Sequence, residues 1–90
     1  MNIEQAETIA LQALSFLAKD EALLNQFLSS TGLTSQELKQ RVGEPELLGG
    51  VLDTILSSDT VLLDFCSATS LSPETIVMAR CALPGGYHID

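Results

Sequence analysis

Apolar residues recur every three or four positions in six stretches of the chain, a spacing that puts them on one face of a helix. No stretch alternates between apolar and polar side chains with the period of two that a strand would need. The pattern therefore predicts an all-α fold, a compact bundle of about six short helices. The predicted helices lie at approximately 3–18, 20–31, 34–42, 45–56, 59–69 and 72–83.

Residues that favour helix ends lie at the boundaries of these stretches. Thr34 and Glu37 have the T-x-x-E spacing of a capping box, and Gly32 tolerates the left-handed turn that often follows a helix. Ser72 followed by Pro73 reads as an N-cap with proline at the first helical position. Helices this short are marginal alone, so we expect them to be stable only through packing on one another.

The second half of the chain repeats the first at an offset of 38 residues. Residues 27–34 read FLSSTGLT and residues 65–72 read FCSATSLS, and apolar positions agree outward from there without a gap. Such a period is typical of one helical unit used twice, although short helices rich in Leu and Ser also resemble one another by chance. The predicted organisation is a single domain at 1–90, with units at about 1–43 and 44–83 and a C-terminal tail at 84–90.

The chain is strongly acidic, with twelve Asp and Glu residues against four Lys and Arg residues and a formal net charge of −8. Long-range repulsion from DNA and from anionic membrane surfaces follows from that charge. A basic protein partner would be attracted, whereas the same acidity could also serve only solubility. No apolar run reaches the roughly 20 residues that cross a bilayer.

Nothing in the sequence indicates a metal, a cofactor or a catalytic site. Cys66 and Cys81 are too few and too far apart for a zinc cluster or a disulfide framework. His88, close to Asp90, is the chain's single histidine and offers at most a partial metal site. No nucleophile has a histidine partner in a recognisable pattern, so we predict that the protein is not an enzyme. With acidic residues where a secretory signal would be basic, the predicted location is the cytoplasm.

One alternative function is DNA binding by a helix-turn-helix unit. In that interpretation Ser35, Gln36, Lys39 and Gln40 would face the bases of the major groove. Any two helices joined by a glycine turn satisfy the pattern, and Glu37 would point toward the phosphates. The scarcity of basic residues argues against nucleic acid as the partner.

Two features of the second half call for a structural explanation, in which packing within the chain is favoured over docking of a partner. Gly49 and Gly50 are adjacent inside a predicted helix, where they lower its stability by roughly 1.5–2 kcal/mol relative to two alanines. We therefore expect a reason for them: close approach of another helix, close approach of a partner's backbone, or a kink. Arg80 is the only base after residue 45 and is expected to lie exposed or to pair with an aspartate, at position 53, 59 or 64. The predicted partner-binding residues border an apolar groove between the two units: Glu46, Gly49, Gly50, Asp53 and Asp64.

The chain also resembles a family of small uncharacterised bacterial proteins known only as a domain of unknown function. The resemblance is carried by residues 9–18 (IALQALSFLA), 27–34 (FLSSTGLT), 51–53 (VLD) and 79–86 (ARCALPGG). It implies a helical, cytosolic protein. It supplies no catalytic residues to carry over.

The acidic charge, the small size and the lack of a catalytic pattern favour a small non-enzymatic protein-binding domain, an adaptor or a regulator. Its partner would be another protein or a second copy of this chain. The alternatives are a helix-turn-helix DNA-binding protein and a self-associating structural protein. If the acidic rim binds the partner, charge reversal at Asp53 and Asp64 should weaken binding without lowering stability.

Overall fold

A computed structural model describes residues 1–83 of the chain, and in them every regular element is a helix. The predicted all-α bundle is confirmed, with its six helices in the predicted places. The helices are α1 (Ile3–Ala18), α2 (Glu21–Thr31), α3 (Ser35–Arg41), α4 (Pro45–Leu56), α5 (Asp59–Thr69) and α6 (Pro73–Ala82).

Side-chain caps begin five of the six helices. The predicted capping box is present at α3, where the Thr34 hydroxyl accepts from Glu37 N and the Glu37 carboxylate accepts from Thr34 N, both at 3.1 Å. A second capping box, formed by Asn2 and Gln5, begins α1. Single caps begin α2, α5 and α6, whereas α4 starts at a proline with no side-chain cap. These local bonds explain why the helix starts could be predicted from the sequence.

Two helices form the centre of the bundle. Within residues 1–83, α1 packs on α4, α6 and α2, while α4 also packs on α6, α5 and α2. The core is aliphatic apart from two phenylalanines and Cys66, in agreement with the chain's few aromatic residues. The largest side chains that lose all or nearly all solvent contact are Leu17, Phe27, Leu48, Val51, Leu52, Ile55, Phe65 and Ile76.

The 38-residue offset reappears in the bounds of the helices. Residues 21–31 of α2 correspond to residues 59–69 of α5, and α3 and α6 begin 38 residues apart. Both α2 and α5 end in a left-handed residue and place a threonine hydroxyl on a phenylalanine carbonyl one turn earlier. Tertiary packing is less alike, because α6 packs on both central helices and α3 belongs to none of the main interfaces in residues 1–83. Common ancestry of the two units stays a prediction.

The two left-handed caps give a matched pair of stability tests. Gly32 has φ +75° and Ser70, its counterpart, has φ +62°. A side chain in this region costs about 1 kcal/mol, so Gly32→Ala should destabilise by about that amount and Ser70→Gly should stabilise by about 0.5–1 kcal/mol. Urea unfolding followed by circular dichroism measures both. Shifts of the same sign in the two variants would contradict this account.

Candidate functional site

The single buried charge in residues 1–83 is the guanidinium of Arg80, whose side chain is only 10% exposed. It pairs with Asp53 on α4 through two bonds, Nε to Oδ1 at 2.5 Å and Nη2 to Oδ2 at 3.0 Å. Nη1 lies 3.5 Å from the carbonyl oxygen of Leu83 and donates to it. Of the three aspartates considered from the sequence, the structure selects Asp53. This two-point contact fixes the carboxylate, which is still 55% exposed, at the surface of α4.

Beside this carboxylate, a cleft of about 330 Å³ opens between α2 and α4. Its floor and one wall come from α4, through Gly50, Asp53, Thr54 and Ser57, which follow one another along a single face of that helix. The other wall comes from the last two turns of α2. The residues on that side are Gln26, Ser30 and Thr31.

All four hydroxyl groups around the cleft donate their protons to backbone carbonyls of their own helices. Thr54 donates to Gly50 O at 3.1 Å and Ser57 to Thr54 O at 2.7 Å, while Ser30 and Thr31 both donate to a carbonyl of α2 at 3.0 Å. A hydroxyl whose proton is engaged keeps its oxygen lone pairs as acceptors. Together with the Asp53 carboxylate, these oxygens offer acceptors to a ligand that donates, although Thr31 Oγ1 already accepts from Leu33 N at 3.4 Å and the Gln26 amide adds donors.

Gly50 forms part of the floor, and the fold does not require a glycine there. A methyl group added at this position would meet one atom, Cε1 of Phe27, at 4.0 Å, which is an ordinary van der Waals distance. Helix α4 also runs through Gly49 and Gly50 without interruption. Close approach of another helix therefore does not account for Gly50, and a kink in α4 at this residue stays a prediction. The effect of Gly50 is to keep the cleft open.

A second cleft of about 320 Å³ lies between α1 and α5, at positions related to the first by the 38-residue offset. Gln12 stands where the first cleft has Gly50, and Ser15 stands where it has Asp53. Lys19 corresponds to Ser57. The two clefts thus share a framework and differ in charge, which makes the second a matched control for the first.

The residues predicted to bind a partner do not form one groove. Gly50 and Asp53 line the α2–α4 cleft, and Glu46 lines an adjoining cleft that Gly50 also borders. Gly49 is buried, and Asp64 is exposed on α5 without lining either of these clefts. The α2–α4 cleft is walled by hydroxyl and amide side chains, yet most of its lining surface is apolar. The apolar partner groove between the two units stays a prediction. Each hydroxyl bonds a carbonyl three or four residues earlier, a local preference of Ser and Thr that the sequence does indicate. The meeting of these hydroxyls from α2 and α4 in one cleft leaves no signal in the sequence.

The described residues offer little for catalysis or metal binding. Burial raises the pKa of the Cys66 thiol and keeps it protonated, and Cys81 is an exposed free thiol. Residues 1–83 hold no group of three or more His, Cys, Asp or Glu side chains placed to share a metal ion. The partial site suggested by His88 and Asp90 lies outside the described residues.

The surface proposed for DNA is exposed but weakly basic. Ser35, Gln36, Lys39 and Gln40 all reach solvent on α3, as the helix-turn-helix hypothesis required. The carboxylate of Glu37 is engaged in capping the helix. In the part of the chain that the structure describes, no helix combines the length and apolar character that would let it cross a bilayer.

Comparison with known proteins places the chain in a family. Residues 3–86 match the model of the family described as "Protein of unknown function (DUF3572)", and the chain belongs to that family. The resemblance to a domain of unknown function is thereby confirmed. Searches among curated proteins and among solved structures gave no significant match.

Proposed function

We propose that this member of the DUF3572 family is a non-enzymatic binding domain whose α2–α4 cleft takes a cationic side chain from a protein partner. The observation that carries the proposal is the set of acceptor atoms around the cleft: the Asp53 carboxylate and four hydroxyl oxygens whose protons are engaged by backbone carbonyls. Arginine and lysine side chains have only donors, so they complement such a surface. An amphipathic helix with basic flanks is the form of partner that fits best.

Charge and compartment support the same function. A net charge of −8 accelerates the encounter with a basic partner and makes binding sensitive to salt. The free thiols Cys66 and Cys81 fit a reducing compartment, and we place the protein in the cytoplasm for that reason.

The sharpest test fills the cleft without disturbing the ion pair. We expect Gly50→Leu to project an alkyl chain into the cleft and to weaken binding of a short Arg- and Lys-containing helical peptide at least tenfold. Amide chemical shifts recorded during a peptide titration report both affinity and place, with changes expected at Gln26, Thr54 and Ser57. The same peptide with its basic residues replaced by glutamine should cause no such changes.

Gln12→Leu, the corresponding change in the second cleft, is the matched control and should leave peptide binding intact. Gly50→Ala reports on folding, because alanine in this helix should raise the free energy of unfolding by about 1 kcal/mol. Equal binding by Gly50→Leu and the parent chain would rule out the α2–α4 cleft. Shift changes spread evenly over all acidic side chains would reveal unspecific attraction instead of a site.

A further inference from the structure

A strongly apolar cavity, separate from the acidic cleft, lies where α1, α2 and α3 meet. It measures about 200 Å³. Five of its seven lining side chains are aliphatic, and the other two, Ser35 and Lys39, come from α3. The aliphatic residues are Leu14, Ala18, Leu24, Leu38 and Val42.

This pocket arises where the first unit differs from the second. Ala18 on α1 corresponds to Leu56 on α4 at the 38-residue offset, so the first unit lacks a leucine side chain at this place. Val42 corresponds in the same way to Arg80, whose long side chain is buried in the second unit. Because α6 packs on both central helices and α3 does not, the space beside α3 stays open.

One cation stands at the edge of this apolar surface. The Lys39 side chain is exposed and forms no ion pair within residues 1–83. The only acid within α3, Glu37, has its carboxylate engaged at the amide nitrogen of Thr34. An apolar cavity with a single available ammonium group at its rim complements an alkyl chain that ends in an anion.

We propose that this α1–α2–α3 pocket binds an aliphatic carboxylate of medium chain length. The alkyl chain lies against Leu14, Leu24 and Leu38, where it leaves water, and the carboxylate contacts the Lys39 ammonium group and the Ser35 hydroxyl. Burial of the chain supplies most of the affinity, and the charge fixes its direction. This site takes an anion, so it is independent of the cationic partner proposed for the α2–α4 cleft.

Titration of the full chain with octanoate, followed by amide chemical shifts, tests the proposal. We expect saturable shift changes confined to the pocket residues of α1, α2 and α3. Lys39→Gln should weaken octanoate binding about three- to fivefold, whereas Arg41→Gln, which removes another exposed cation of α3, should not. Octylammonium, with the same chain and the opposite charge, should bind more weakly than octanoate.

Ala18→Leu provides the decisive variant. It places in the first unit the side chain that the second already has at Leu56, and leucine is a good helix former, so the variant should fold. It should abolish octanoate binding while leaving peptide binding at the α2–α4 cleft unchanged. Unchanged octanoate binding in Ala18→Leu, or no saturable shifts in the parent chain, would overturn the proposal. Equal affinity for octanol and octanoate would overturn the role of Lys39 and indicate a pocket for an uncharged partner side chain.

Discussion

Replacing Phe65 by alanine is expected to cost about 3–5 kcal/mol of unfolding free energy, the range for removing a fully buried aromatic side chain. Phe65 has no exposed surface, and its ring meets that of Phe16 edge to face, with 5.4 Å between centroids and 65° between planes. Since a domain of this size is stable by roughly 5–13 kcal/mol, such a loss removes much of its stability. Urea unfolding measured by circular dichroism gives the value.

Leu63→Ala is the control for this experiment. Leu63 lies on the same helix, but it is 60% exposed, so its removal should change stability by less than about 0.5 kcal/mol. Phe27→Ala should fall in the same range as Phe65→Ala because Phe27, its counterpart in the first unit, is also completely buried. A loss below about 1 kcal/mol at Phe65 would mean that the aromatic ring is not part of the core.

Replacing Asp53 by alanine should cost about 1–3 kcal/mol, because it removes both bonds between its carboxylate and the buried guanidinium of Arg80. The Asp53 side chain is 55% exposed, so water can replace part of its interaction with Arg80. This exposure limits the expected loss of stability to about 3 kcal/mol. Differential scanning calorimetry or urea unfolding at neutral pH measures the change. Charge reversal at Asp53 should for the same reason lower stability, contrary to the expectation from the sequence alone.

Asp64→Ala is the matched control, since Asp64 is exposed on α5 and has no ion pair within residues 1–83. Its replacement should change stability by less than about 0.5 kcal/mol. Adding Arg80→Met to Asp53→Ala should recover part of the loss, because the double variant no longer buries the guanidinium charge. Equal stability of the Asp53 and Asp64 variants would show that water satisfies Arg80 as well as the carboxylate does.

Because Asp53 also contributes to stability through Arg80, the acidic cleft is better probed at Gly50 than at Asp53. Any change at Asp53 alters both the ligand-facing oxygen atoms and the contact that holds α6 to α4. Gly50 takes no part in the Arg80–Asp53 ion pair, and a Cβ added there would meet only an aromatic carbon of Phe27, at 4.0 Å. A loss of binding in Gly50→Leu would therefore report on the cleft.

Local interactions made the helices predictable from the sequence. The spacing of Leu48, Val51, Leu52 and Ile55 identifies the inner face of α4, and all four are buried in the structure. Helix starts depend on bonds between residues three positions apart, as in the Thr34 box, so they too can be read along the chain. The left-handed Ser70 escaped prediction because serine rarely adopts that conformation.

Only the tertiary structure decided which residues distant along the chain come into contact. The sequence alone determined an acidic all-α chain, the places of its helices, and a choice of three aspartates for Arg80. Asp53 is selected by the way α6 packs on α4, across 27 residues of chain, and no local pattern encodes that distance. The same holds for both proposed sites: their surfaces exist because α2 stands beside α4, and because α3 stays apart where α6 packs closely.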